Sequence, residues 1–368
     1  MASLENSPRA RLKLVWRLEW SLAPRRAPTS GDSAAGVRWG GRVARARRAL
    51  GGLDALEERP SRPGFASRSG STSVRCVKIH LVDGTYELFR AHFAWPSSKG
   101  SAGQEVAAAK GLFSTLRRLL ASPGVTHVAC AFDHVIESFR NDLFPGYKTG
   151  EGLDPSLLGQ FELAERVCVA LGVVTWPMVE FEADDALATA ARRWCDAPGV
   201  EQVVICSPDK DLTQCVRGDR VVCWDRMRDR VYAEPDVIEK FGVPPASIPD
   251  YLALVGDTAD GIPGVPRWGK KAAAVLLAEY GHLEAIPHDD ALWRVKIRGS
   301  RALAAELALQ HSAALLYREL ATLRFDVPLA ESLDDLRYRG PDLIRLRAIC
   351  EEVADFSLLE GVVPLPAS

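Results

Sequence analysis

The 368-residue sequence has no uncharged apolar run of the roughly 18 residues that a membrane span needs, so no transmembrane segment is expected. Its eight cysteines form neither a C-x-x-C pair nor a Cys/His ladder, which excludes a zinc ribbon and a secreted disulfide scaffold. Reduced, buried thiols remain as the default. No Gly-x-Ser-x-Gly or similar nucleophile arrangement stands out. Neither sign of charge dominates, with 46 Lys+Arg against 48 Asp+Glu and a formal net charge of -2. A content of 47% hydrophobic and 26% charged residues excludes wholesale disorder, collagen and coiled coil.

The near-neutral total hides an asymmetry. Residues 1–75 hold 14 Arg and Lys13 against six acids, a surplus of nine, which leaves the remainder at -11. This segment is rich in Arg, Ser, Gly and Ala and is punctuated by Pro24, Pro28, Pro60 and Pro63. Such a composition reads as a disordered organellar leader, a transit peptide for plastid or mitochondrion with the chloroplast favoured. A basic low-complexity tail with non-specific affinity for nucleic acid is the plainer alternative.

From Val77 the texture changes. Short β-rich runs cover 77–82, 125–132, 173–177 and 202–206, and helical stretches at 106–120 and 157–171 lie between them. Strands alternating with helices predict an α/β core with a mostly parallel sheet. In open sheets of this kind, ligands bind outside the carboxyl ends of the strands. There the sequence delivers Asp83, Asp133, the group Glu182, Asp184 and Asp185, and the pair Asp209 and Asp211. A further acidic turn with Asp257 and Asp260 follows the helical stretch 248–255.

Taken singly, each acid has a local explanation. An Asp after a strand caps the next helix, acids in a first helical turn complement the macrodipole, and Asp257 or Asp260 suits an Asx-turn. Taken together they are harder to dismiss. Carboxylates converging on one edge raise one another's pKa unless a cation neutralises them. Hard divalent ions, Mg²⁺ or Mn²⁺, suit an all-oxygen set of this kind.

These residues resemble the 5′ nuclease family of 5′-to-3′ exonucleases and flap endonucleases. The family includes the amino-terminal nuclease domain of bacterial DNA polymerase I and free-standing plant organellar 5′-to-3′ exonucleases. The matching motifs are Leu81 to Gly84 with Phe89 and Arg90, Ala131 to Asp133 with Phe139 and Arg140, and Tyr147 with Lys148. Glu182 to Asp185, Ser207 to Asp211, and Gly256 to Pro266 running into Trp268 to Ala273 complete the series. The resemblance implies a PIN-like α/β core at 76–245 and a helical subdomain at 246–360 carrying a helix–three-turn–helix DNA-binding element. It also implies two Mg²⁺ (or Mn²⁺), about 3.5–4 Å apart. One would be held by Asp83, Asp133, Glu182 and Asp184, the other by Asp209, Asp211 and Asp257, with Asp185 and Asp260 acting through water.

By the same resemblance, Arg140 and Lys148 stand beside the scissile phosphate, and Phe89 stacks a terminal base. Arg90, Tyr147, Gly264, Arg267, Gly269, Lys270 and Lys271 contact DNA, with a K⁺ site in the helix–turn–helix loop. For Phe89 plain core packing is the alternative, and for Arg140 and Lys148 a solvated basic face.

Three departures from the family pattern stand out. No Arg follows Tyr147-Lys148, Trp268 replaces a usual Gly, where it would stack on a sugar or distort the loop, and Pro208 precedes Asp209. The tail 323–359 reads as helix-rich, with no polymerase region after it. The expected protein is a monomeric, metal-dependent nuclease acting on DNA with 5′ ends or flaps, RNA-primed ones included, in organellar replication and repair. The alternatives are a structure-specific nucleic-acid-binding protein with a decayed nuclease, and an RNA-directed nuclease of similar fold.

Overall fold

The computed structural model describes residues 77–360 and 362. The basic leader lies outside the described residues. No helix among them is long and apolar enough to cross a membrane.

In chain order the main elements are β1 (Val77–Asp83), α1 (Gly84–Ala94), α2 (Ala107–Leu120), β2 (His127–Asp133), α3 (Phe139–Leu143), α4 (Pro155–Leu158) and α5 (Phe161–Ala170). They continue with β3 (Val174–Met178), α6 (Ala183–Trp194), β4 (Val200–Cys206), β5 (Val221–Asp225), β6 (Arg230–Tyr232), α7 (Glu234–Phe241) and α8 (Ile248–Val255). The last are α9 (Lys270–Tyr280), α10 (Ser300–Leu309), α11 (His311–Ala321) and α12 (Leu343–Glu352).

One six-stranded sheet has the order β3-β2-β1-β4-β5-β6, parallel except for the antiparallel β5–β6 pair. Helices pack on both faces, so the central strands are mostly apolar; every residue of β2 is buried. Ile79, Leu81, Ala129 and Ala131 feed one apolar core, and Val82, Val128, Cys130 and Phe132 feed the other. The alternation follows from the two-residue period of a strand. Strands are added outward in opposite directions from β1, so the crevice of the sheet opens at the carboxyl ends of β1, β2 and β4.

The structure departs from expectation in three places. The β5–β6 hairpin was not anticipated. The helix expected over 157–171 breaks at Gly159-Gln160, because the buried Gln160 side chain turns aside to accept the Ala108 and Ala109 N–H groups that open α2. The tail is less helical than expected, with 323–342 mostly without regular secondary structure apart from one 3-10 turn before α12.

Candidate metal centre and phosphate contacts

The carboxylates arrive as the topology requires. Asp83 ends β1 and caps α1, accepting the Tyr86 N–H on Oδ1 at 2.8 Å and the Ser207 hydroxyl on Oδ2 at 2.8 Å. Asp133 ends β2 and accepts the Ala183 N–H at 2.7 Å, which ties it to the start of α6, where Glu182 and Asp184 sit. Asp209 and Asp257 each close an Asx-turn, accepting the N–H groups of Asp211 and Ala259. Local capping therefore coexists with convergence, and the two explanations are not alternatives.

Convergence shows in the electrostatics. Burial pushes the Asp83 carboxyl up to about 7, with repulsion from Asp133 and Asp209 working against its hydrogen bonds. Burial, then Asp209, Asp83 and Asp133, drives Asp184 well above the usual carboxylate range. Asp211 is raised by burial and by Asp209, Asp257 and Asp260, although Lys210 opposes. Asp257 rises to about 6 through burial and Asp260. One connected field of negative charge spans all five acidic segments.

The partition differs from that expected. Asp211, Asp257 and Asp260 each offer an oxygen within 4.8 Å of the other two. Asp260, expected to act through water, thus clusters directly with Asp211 and Asp257. Asp209 lies between the sets, acting on Asp83 and Asp184 as well as on Asp211 and Asp257. Among the described residues, no three of Asp83, Asp133, Glu182 and Asp184 come as close as that trio. Both Glu182 oxygens already have partners, Oε1 with Ser138 Oγ at 2.7 Å and Oε2 with Lys148 Nζ at 2.6 Å. Burial alone would raise this carboxyl, but Lys148 and Arg140 hold it down at about 2.

The trio fits a hard divalent cation. Its donors are all carboxylate oxygens, and buried Asp211 Oδ1 has no hydrogen-bond partner among the described residues. An anionic acceptor left dry and unpaired is costly, and a cation relieves that cost.

Two expected site residues turn away from the bowl. Arg140 is 1% exposed and pairs with Asp185, itself 0% exposed, so neither reaches a phosphate or a metal-bound water. Lys148 does face the bowl, 2.6 Å from Glu182 and 3.7 Å from Asp260. Burial works against its ammonium, but Glu182 and Asp260 outweigh that and keep it charged.

Several expected DNA contacts are likewise internal. Tyr147 is buried, with its hydroxyl 3.3 Å from Glu182 Oε2. Phe89 is half-buried and meets Phe161 edge-on, centroids 6.2 Å apart, as core packing requires. Arg90 is held by Glu87 and by Thr115 Oγ1. Gly264, at φ +75°, lies where a Cβ would stand 2.5 Å from the Gly256 backbone nitrogen, so its smallness serves a chain crossing. Trp268 does not face out to stack on a sugar: it is 5% exposed, and its indole N–H donates to the Leu303 carbonyl.

The remaining contacts are presented to solvent. Gly269 is the N-cap of α9 with open space around it, and Lys270 and Lys271 are exposed in the first turn. Arg267 is exposed and 3.4 Å from Glu306.

Sequence reasoning missed Ser207, Ser138 and Lys210. Ser207 is buried and joins Asp83 to the Asp209 loop, accepting the Asp209 N–H at 3.1 Å. Lys210 Nζ lies 2.7 Å from Asp257. Both sit inside the acidic motif and were legible there; Ser138 carries no sequence signal.

Two family profiles match the chain: the 5′-3′ exonuclease N-terminal resolvase-like domain over residues 78–242 and the 5′-3′ exonuclease C-terminal SAM fold over 243–343. DNA polymerase I of Rhizobium leguminosarum is 38% identical over 278 residues, 72% of this chain and 27% of that one. A 5′-3′ exonuclease of Aquifex aeolicus is 32% identical over 286 residues, 77% of this chain and 94% of that one. The chain spans only 27% of the Rhizobium polymerase and 32% of that of Bacillus caldotenax. Among solved structures, zinc-bound T5 5′-exonuclease superposes with a TM-score of 0.53 at 20% identity, covering 77% of this chain and 96% of that one. The catalytic core of Rad2 in complex with DNA substrate gives 0.53 at 13% identity, covering 78% and 94%. The sheet flanked by helices is thus the PIN-like 5′ nuclease fold, followed by a helical C-terminal domain.

Proposed function

This chain belongs to the 5′-3′ exonuclease family of hydrolases, and from that premise we propose that it is a divalent-metal-dependent nuclease cleaving phosphodiester bonds at the 5′ ends and 5′ flaps of DNA. The observation that carries the proposal is the meeting of carboxylates from five segments in one buried field. The T5 flap endonuclease, solved with DNA and metal ions, lends support through its shared fold.

Asp211, Asp257 and Asp260 would hold one ion, and Asp83, Asp184 and Asp209, with Asp133 and Glu182 beside them, a second. Such ions, when bound, make a water nucleophilic near neutral pH and stabilise the departing oxygen. The protein's own groups do the rest. The Lys148 ammonium, held beside Glu182 and Asp260, would offset the charge that builds on a phosphate brought in by the ions. Lys270, Lys271 and the opening N–H groups of α9 grip backbone rather than bases, which favours DNA shape over sequence. In its physiological setting we place the enzyme in an organelle, plastid before mitochondrion, removing primers and flaps; the basic residues 1–75 motivate this.

The test is cleavage of a labelled 5′-flap duplex, with DNA and RNA flaps side by side, in Mg²⁺, Mn²⁺ and EDTA. Metal-dependent cleavage of the DNA flap is expected, and Asp211→Asn should slow it at least about 100-fold while duplex binding persists. Binding without cleavage in either metal would favour the decayed-nuclease alternative and overturn the proposal. Cleavage confined to the RNA flap would overturn the choice of substrate.

A further inference from the structure

The Arg140 guanidinium is satisfied five times over, and its partners come from two distant parts of the chain. Nη1 and Nη2 donate to Asp185 Oδ2 and Oδ1, each at 2.7 Å. Nη1 also donates to Glu182 Oε1 at 3.0 Å. Nε donates to the Leu320 carbonyl at 2.8 Å, and Nη2 to the Thr322 carbonyl at 3.0 Å. A guanidinium has five N–H donors in a fixed plane, and all five are used. Asp185 completes the knot by accepting the Arg324 N–H at 2.8 Å and the Glu182 N–H at 3.0 Å.

The residues from 320 to 324 are the exit of α11, which packs on α8, and α8 runs directly into Gly256 and Asp257. The knot therefore joins the Glu182 end of the bowl to the helical half that carries the Asp257 end. Stability is a poor reason to keep it, since a buried ion pair often does no better than an apolar group of equal volume. What such a pair supplies is direction. Its bonds fix where each oxygen points, and a lysine, lacking the planar fork, cannot reproduce them.

We propose that Arg140 and Asp185 are positioning residues, a clamp through which the helical half of the molecule sets the placement of Glu182 and of the α6 start that carries Asp184. The inference deepens the nuclease proposal and rests on it. The clamp touches neither substrate nor reacting atoms; it holds Glu182 Oε1 against the returning chain so that Oε2 faces the bowl. Ser138 Oγ, donating to the same Oε1 at 2.7 Å, is its lesser arm.

The test uses the full chain with Arg140→Lys and, as a milder change, Ser138→Ala. Four quantities are read: melting temperature, Mn²⁺ affinity by calorimetry without DNA, and kcat and KM on the 5′-flap duplex. For Arg140→Lys, Mn²⁺ affinity should weaken about tenfold and kcat fall about 10–100-fold, with KM for the duplex within about twofold of wild type. Ser138→Ala should move the same two quantities in the same direction, by about threefold. A purely structural knot would lower the melting temperature and leave metal affinity and kcat of the folded enzyme unchanged, and that result overturns the proposal. If Arg140→Lys does not fold, wild-type Mn²⁺ affinity in Ser138→Ala overturns it instead. Should wild type cleave no flap in any metal, the nuclease proposal fails, and calorimetry still decides whether the clamp governs the metal centre.

Discussion

Stripping the divalent cations should make the protein lose stability as pH rises from about 4 to about 7, against the usual trend for a domain rich in paired carboxylates. Asp83 carries most of the argument. Its carboxyl stands at about 7 in the fold, against 3.8 unperturbed. At pH 5 the folded state holds this proton and the unfolded state has released it, so folding is favoured by acid through that window. The difference of about three units corresponds to about 4 kcal/mol, fully expressed once pH exceeds the folded value. Asp257, at about 6, acts with the same sign over a narrower window. Glu182 has the opposite sign, but its folded value of about 2 places the loss of its contribution below the range considered. For a chain of this size, about 4 kcal/mol is on the order of a 10 °C fall in melting temperature. The assay is thermal unfolding in EDTA between pH 4.5 and 8, repeated in saturating Mg²⁺, where bound cation should flatten the curve because the carboxylates are then neutralised without protons. Asp83→Asn should flatten the EDTA curve as well. A melting temperature in EDTA that is constant or rises over this interval would refute the idea that these oxygens are crowded and dry.

Two further outcomes concern the helical half, one on its surface and one in its core. Lys270→Glu with Lys271→Glu should weaken duplex binding uniformly across DNA sequences and reduce the salt slope by about one unit per lost phosphate contact, measured by fluorescence anisotropy at several ionic strengths. Trp268→Ala should cost about 3–5 kcal/mol of stability in denaturant unfolding, since a buried ring and its bond to the Leu303 carbonyl are lost, while the salt slope of DNA binding stays that of wild type.

What the sequence revealed, and what it hid, divide along one physical line. β1, β2 and β4 were legible because a strand covered on both faces must be largely apolar, and Asp83, Asp133 and Asp209 were legible because strand ends point at one edge. Each of those inferences needs only local pattern and a rule of topology. The errors concern partners. Arg140 and Asp185 read as site residues because they stand in acidic and basic motifs, but they neutralise each other across 45 positions, and no local periodicity encodes such a pairing. Gln160 looked like ordinary helix and instead leaves it to cap α2, some 50 residues away. β5 was missed because Val221–Asp225 is short and runs into the Arg-rich stretch 226–230, whose charges mask the hairpin; the structure gives Arg226 a partner in Glu87 on α1 and Arg228 one in Asp225.

The partition of the acids follows from the same limit. Sequence order groups Asp209 with Asp211 because a single residue, Lys210, separates them. In space the reverse turn at Gly261 folds Asp260 back beside Asp257, and the Lys148 N–H donates to the Asp260 carbonyl at 3.0 Å. Gly261 sits at φ +75°, and a Cβ there would stand 2.2 Å from the Gly146 carbonyl oxygen. No other residue lets the Asp257–Asp260 turn lie against the Tyr147–Lys148 loop. That approach brings the third oxygen into the trio and the lysine to its rim, so one backbone position decides both the clustering of the carboxylates and the cation that faces them.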